Sequence, residues 1–356
     1  MNAIVGDHVA TPTSDLERTV DGSSGRPTTG PLDLGSPITE RMMRCLPGPR
    51  WVLIAIWAAA VLVTPFVLVG ARRLAGQSTE FDSVGELAPQ AVLSYVVALL
   101  LWGVARLVDR ATALRPDLQR LTNEEADPGE AAPRWNVAGP VALSAVVVMV
   151  VSSSSWSMNG LVPTLLVLPF LALAVLPVMT FVWTYVRLLI GLDRLGRARL
   201  ALEPFPQDPS LGLGVIGSLA FSGFALLVAT AVPTLLATTR NPTTFFVAAV
   251  ILGVNVPIFF LSMLRLHAQM SGAKARYVDE ARALYAAAYE PLRTDPNLSV
   301  LRTQAPVLDA ARTLEERAQR IQAWPINEGL IAIMGFVVAG VTSGMIVRFI
   351  VVAAGL

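Results

Sequence analysis

Residues 262–327 read SMLRLHAQMSGAKARYVDEARALYAAAYEPLRTDPNLSVLRTQAPVLDAARTLEERAQRIQAWPIN, a long polar stretch held between two strongly apolar runs. Along its first arm Met263, Met270, Tyr277 and Leu284 recur every seven residues, with Leu266, Ala273, Ala281 and Ala288 between them. Along the second arm Val300, Val307, Leu314 and Ile321 do the same, with Ala311 and Ala318 between them. Such spacing lays one apolar stripe along each of two helices. Between the arms stands Glu290-Pro291-Leu292-Arg293-Thr294-Asp295-Pro296-Asn297. Its two prolines remove amide donors and its Asp and Asn suit turns, so the helix is expected to stop there. The reading is an antiparallel helical hairpin over 265–326, whose seam is formed by those heptad residues and whose alanines keep it narrow.

Outward from the hairpin the chain becomes lipid-like. Of its 356 residues, 54% are hydrophobic and 15% charged, the signature of a polytopic membrane protein. A hydrocarbon core of about 30 Å takes about 20 apolar residues as a helix. Seven runs meet that length: 51–70, 88–108, 137–157, 161–190, 212–237, 244–264 and 328–352. The fourth is long and carries Pro163, Pro169 and Pro177, which predicts a kinked, tilted span, with a re-entrant segment as the alternative. The fold class is therefore all-α, with about seven transmembrane helices and the hairpin between the last two.

Orientation follows from the arginines near the span ends. With the amino terminus inside, the cytosolic segments collect Arg41, Arg44 and Arg50, then Arg106, Arg110, Arg115, Arg120 and Arg134, then Arg187, Arg194, Arg197 and Arg199. They also collect every basic residue of the hairpin from Arg265 to Arg320, Lys274 being the one lysine of the chain. The outer face receives Arg72, Arg73, Arg240 and Arg348. This predicts a multi-pass protein of the bacterial plasma membrane with its amino terminus in the cytosol and its carboxyl terminus outside.

Four domains follow. Residues 1–49, rich in Ser, Thr, Gly, Pro and Asp without an apolar period, read as a disordered cytosolic tail. Residues 50–264 form a six-span bundle with cytosolic loops 109–136 and 191–211. The latter loop reads as an amphipathic strip on the inner membrane surface, turned into span five by its prolines. The hairpin occupies 265–326 and the last span lies within 327–356.

Pro206-Gln207-Asp208-Pro209-Ser210-Leu211-Gly212-Leu213-Gly214 opens a span, and a charged helix ends at Trp324-Pro325 before the final one. Together these two short motifs resemble those of uncharacterised prokaryotic multi-span membrane proteins, in which an Asp precedes Gly-Leu-Gly at the turn. The resemblance implies a membrane fold and carries no activity.

Motifs with chemical associations take structural readings here. Gly212-Leu-Gly-Val-Ile-Gly217 matches the dinucleotide pattern GxGxxG, but it opens a lipid-embedded helix after a proline-rich loop instead of following a strand. Its glycines are expected to let span five approach a neighbour closely. Glu315-Glu316-Arg317-Ala318-Gln319-Arg320 matches the EExxxR pattern of membrane-embedded proteases, yet the chain has only His8 and His267 to supply the further ligands such chemistry needs. With a single cysteine, Cys45, no intrachain disulfide or cysteine metal cluster forms. No catalytic, cofactor-binding or metal-binding residue is assigned, no cofactor is expected, and the net charge of +1 gives no case for nucleic acid.

The central thirds of the spans lack Asp, Glu, Lys and Arg, against an ion-coupled transporter. Uncharged polarity remains at Asn255 beside Pro257, at Thr180, Thr184 and Tyr185, at Thr342 and Ser343, and in the Ser152–Ser155 run. These residues either bond neighbouring helices or line a polar path. Gly340 and Gly344 form a GxxxG pair suited to close helix contact. The function expected is non-enzymatic assembly or signal coupling through the hairpin, with the bilayer, a second copy or a cytosolic protein as partner. The alternative is a channel or transporter for a neutral or lipidic solute, and a membrane enzyme is the remote third.

Overall fold

The computed structural model describes residues 37–74, 76, 83–114, 116, 135–159, 161–198, 200, 210–237, 242–294 and 297–326, with isolated helical positions between 329 and 350. The elements are α1 (Ile38–Cys45), α2 (Arg50–Leu74), α3 (Ser83–Ala113), α4 (Trp135–Asn159), α5 (Leu161–Leu195), α6 (Gly214–Ala237), α7 (Pro242–Thr294) and α8 (Leu298–Gln319). No strand occurs among the described residues.

Among the described residues four helices are long and apolar enough to cross a membrane: Arg50–Leu74, Leu87–Ala113, Thr164–Leu195 and Gly214–Thr234. Val137–Ser153 is a shorter apolar helix. A 25-residue helix such as α2 reaches about 37 Å at 1.5 Å per residue, more than the roughly 30 Å of hydrocarbon. Ile56, Val146, Met149 and Leu165 stand on outer helix surfaces, each more than half exposed, where water would oppose them and lipid would not. The architecture is that of an all-α membrane protein.

At the centre, α3, α5, α6 and α7 bury Leu100, Leu188, Leu219 and Phe259 in one apolar core. A second cluster, around Trp57, Val61, Val97 and Leu101, joins α2 to α3 and α5. The fourth apolar run forms one uninterrupted helix, α5, with Pro169 and Pro177 inside it.

Each proline within a helix leaves the carbonyl four residues earlier without its amide partner, and in lipid that carbonyl needs another donor. Two of them are supplied from neighbouring helices. Pro65 of α2 leaves Val61, whose oxygen accepts from Gln90 Nε2 of α3 and from Thr64 Oγ1. Pro177 of α5 leaves Leu173, whose oxygen accepts from Trp57 Nε1 of α2 at 2.7 Å. The prolines thus create acceptors that tie the bundle together.

Ile38–Cys45 is helical, within the stretch that composition reads as disordered. The reason is local: Glu40 and Arg44 pair one turn apart, and Thr39, Glu40 and Met43 are buried on one face. The Glu40 carboxylate also takes Arg50 at 3.2 Å, and Arg50 reaches Asp109 of α3 at 3.1 Å, so the start of α2 is fastened at that end. The other residues of that segment before 37 lie outside the described residues.

The sixth apolar run and the first arm are one helix, α7, of 53 residues, about 80 Å long. Pro291 falls in its last turn, and the helix ends at Thr294, whose Oγ1 donates to Glu290 O. α8 then packs along the second half of α7. Arg282 meets Glu315 at 3.0 Å, and Lys274 meets the Gln319 and Ile321 carbonyls at 2.8 and 2.7 Å, so the two helices run in opposite directions.

Between them the buried side chains are small: Ala281, Ala288, Ala311 and Ala318. Of the heptad residues, Met263, Met270 and Ile321 are buried, Tyr277, Val300 and Leu314 half-buried, and Leu284 and Val307 exposed at 51% and 45%. The loop 115–134 apart from residue 116, the turn residue Asp208, and most of 328–352 lie outside the described residues.

Candidate functional site

Four segments converge where α7 leaves the bundle: the end of α5, the turn into α6, the middle of α7 and the strap 320–326 after α8. α5 ends in a turn whose carbonyls lack helical donors. Gln269 of α7 supplies one, its Nε2 donating to Gly196 O at 2.7 Å and to Ala198 O at 2.9 Å. Asp193 of α5 pairs with Arg197 at 2.6 Å and Arg265 at 3.2 Å, half-exposed contacts of small worth beside those backbone bonds.

The turn into α6 needs a left-handed backbone. Leu211 has φ 55 and Gly212 φ 80, and Ser210 closes the turn by accepting the Gly214 amide at 2.9 Å. Leu211 is buried with Ala273 and Ile321, and Tyr277 packs on them. That burial pushes the Tyr277 hydroxyl above its ordinary pKa. One turn into α6, Gly217 lies so close to the strap that a Cβ there would stand 1.9 Å from Pro325 O. Of the glycines of the GxGxxG match, Gly212 therefore serves a positive φ and Gly217 a close backbone approach.

The strap is held from α7. The His267 ring stacks on Trp324 with centroids 4.2 Å apart and 19° between planes. Its Nδ1 lies 2.7 Å from Ala323 O. A carbonyl only accepts, so Nδ1 carries the proton in this contact. Trp324 also meets Phe260 edge-on at 6.1 Å. Lys274 completes the anchorage by donating to the Gln319 carbonyl at the end of α8, where a cation also suits the helix dipole, and to the Ile321 carbonyl of the strap. The two motifs that suggested a resemblance, Gly212-Leu213-Gly214 and Trp324-Pro325, thus meet in one node, and Leu213 and Ile326 share the central core.

Chemically the node is a clamp. Its histidine is engaged with a carbonyl and a ring, and its lysine with two carbonyls. Among the described residues no three His, Cys, Asp or Glu side chains are grouped to hold a metal. Glu315 and Glu316 of the EExxxR match pair with Arg282 and Arg312 on the surface of the arm.

The uncharged polar residues of the bundle lie on α4, α5 and α7. Thr180 and Thr184 are buried, and their hydroxyls donate back to Leu176 O and Thr180 O at 2.7 Å within α5. The Tyr185 hydroxyl is buried without a hydrogen-bond partner among the described residues, as are Ser144 Oγ, Ser152 Oγ and Trp183 Nε1. Asn255 is half-buried on α7 and Pro257 exposed. Gly340, Ser343 and Gly344 are isolated helical positions, and a Cβ on either glycine would meet nothing within 4 Å. Thr342 lies outside the described residues.

Sequence reading passed over Gln269 and Lys274 as clamp residues and Trp57 and Gln90 as donors to proline-freed carbonyls. Only Lys274 carried a signal, as the one lysine in an arginine-biased chain. The chain matches no protein family, no curated protein and no solved structure at a significant level.

Proposed function

We propose that this chain is a multi-pass plasma-membrane protein that couples a protein partner to its membrane bundle through the α7–α8 arm, with no enzymatic step of its own. In this reading it crosses the bilayer seven times, with the amino terminus and the arm in the cytosol. The observation that carries it is the clamp. Gln269, His267 and Lys274, within eight residues of α7, bond the end of α5, the strap and the end of α8. A linker needs no such fastening, whereas an arm that transmits displacement needs its root fixed to what it moves. The unbroken helix from the sixth run into the arm supports the same reading, since a displacement at the tip meets no flexible joint before the bundle.

The unpartnered Tyr185, Ser144 and Trp183 groups favour the alternative, a path for a neutral or lipidic solute, because buried polar groups ordinarily find partners.

Affinity purification of the full chain in mild detergent separates the two. The wild type is compared with Leu314→Asp, a charge at a half-buried position of α8 that opens the arm. Coupling expects a protein in fixed ratio with the wild type, a second copy or another chain, that is lost from the variant. A wild type that purifies alone, and conducts a solute when reconstituted, replaces coupling with transport.

A further inference from the structure

Independently of what the arm couples to, the geometry points to a binding site for the phosphate of one anionic phospholipid. It is formed by Arg106 and Arg110 of α3 beside Ser222 of α6, at the end of the bundle from which the arm leaves.

The depth of the site comes from the sequence of α3. Residues 87–105 carry no charge, and as a helix they reach about 28 Å, close to the roughly 30 Å of hydrocarbon. Arg106 therefore stands where hydrocarbon gives way to headgroups. Exposed Trp102, one turn before it, suits that boundary. Both guanidinium groups turn inward from the end of the helix. That of Arg106 lies over the Trp102 ring, 5.3 Å from its centroid, one turn nearer the middle of the span. Arg110 Nη1 donates to Ser222 Oγ at 2.8 Å, and Ser222 gives its own proton to Ser218 O at 2.7 Å. Gly103 packs against Leu226, so α3 and α6 run in opposite directions. Ser222 thus stands about 4–5 Å nearer the bilayer centre than Arg110.

An arginine at the rim of a bundle ordinarily extends to water. Here both are held inward, and a guanidinium at that depth calls for an anion beside it. The described residues supply none. Helix α6 carries no charge over 214–237. Glu40 takes Arg44 and Arg50, and Asp109, the carboxylate next to Arg110 in α3, takes Arg50 at 3.1 Å. At this end α1, α2 and α3 carry Arg41, Arg44, Arg50, Arg106 and Arg110 against those two carboxylates, a surplus of positive charge. Neither Arg106 nor Arg110 pairs with a carboxylate among the described residues. Both are exposed. A lipid phosphate lies at this level of a bilayer and matches what is left open: the fork of Arg106 and the Arg110 donors that Ser222 does not take. The Trp102 ring below them is positioned for the start of an acyl chain.

Thermal unfolding of the full chain in mild detergent, titrated with phosphatidylglycerol, tests the site. Phosphatidylglycerol is expected to raise the wild-type melting temperature with concentration, and phosphatidylcholine, whose headgroup carries no net charge, to leave it unchanged. Arg106→Gln and Arg110→Gln are expected to melt as wild type without added lipid. Each should raise the apparent Kd for phosphatidylglycerol about tenfold, the change that one charge-assisted hydrogen bond corresponds to. Ser222→Ala leaves every charge in place and, by releasing Arg110, should raise that Kd about two- to fivefold. It decides the matter even where an arginine variant fails to fold. Arg302→Gln, which removes an exposed arginine of α8, is expected to keep the wild-type affinity. Equal stabilisation by phosphatidylcholine, wild-type affinity in the arginine variants or in Ser222→Ala, or an equal loss in Arg302→Gln would overturn the inference. Stabilisation of the same size by inorganic phosphate alone would overturn it too, by putting a free anion in place of the lipid.

Discussion

The indole Nε1 of Trp57 donates to the carbonyl of Leu173 at 2.7 Å, and Leu173 stands four residues before Pro177, which has no amide to offer it. The bond joins two helices across 116 positions of sequence. In hydrocarbon the freed carbonyl has few other donors, so the tryptophan stabilises both α5 and its contact with α2. Trp57→Phe should cost about 1–3 kcal/mol, the range for leaving a buried group unsatisfied. In a Pro177→Ala background the helix supplies its own amide and that cost should shrink by about 0.6–1.5 kcal/mol. Thermal unfolding of the four proteins in one detergent measures the cycle, and equal costs in both backgrounds would refute the pairing.

The same logic applies to Gln90 and Pro65. Gln90→Leu leaves Val61 O with Thr64 Oγ1 alone. Loss of stability is expected in the wild-type background and little in Pro65→Ala, where an amide returns to that carbonyl.

Gly217 and Gly272 should respond in opposite senses to one methyl group. Gly217→Ala drives a Cβ to 1.9 Å from Pro325 O, and the strap must move, at about 1–3 kcal/mol for overpacking. Gly272 has nothing within 4 Å, so Gly272→Ala should stabilise α7 by roughly 0.5–1 kcal/mol through helix propensity. Melting temperatures in detergent decide both, and a neutral Gly217→Ala would remove the close approach from the account.

Lys274→Met withdraws the donor to Gln319 O and Ile321 O. The expected result is faster amide exchange through the last turn of α8 and the strap 320–326, with exchange in α3 and α5 unchanged. Uniform protection throughout would mean that the clamp is held by packing alone.

The apolar runs announced a helical membrane protein because a span is set by length and composition, both visible in a single sequence. The inner face of the arm was less legible, for a reason that lies in helix geometry. A straight helix advances 3.6 residues per turn, so residues spaced by seven drift about 20° per heptad. From Met263 to Leu284 the drift reaches about 60°, which carries the stripe from the buried root to the exposed flank and leaves Ala281 and Ala288 to meet α8. The donors to the proline-freed carbonyls were not legible, and of the clamp only Lys274 stood out, as the one lysine of the chain. Trp57 with Leu173, Gln90 with Val61 and Gly217 with Pro325 are neighbours only once the helices have packed, and nothing in the local pattern of either partner names the other.

The most direct test of the central claim is side-specific labelling of the arm tip. Ser210, a natural choice for a topology probe, is buried and caps α6, so a label there would report folding as much as sidedness. Thr294 is exposed at the end of α7. In a Cys45→Ser background, Thr294→Cys should react with a membrane-impermeant maleimide in inverted vesicles and remain unlabelled in intact cells. Labelling in intact cells, with none in inverted vesicles, would place the arm outside and contradict the account.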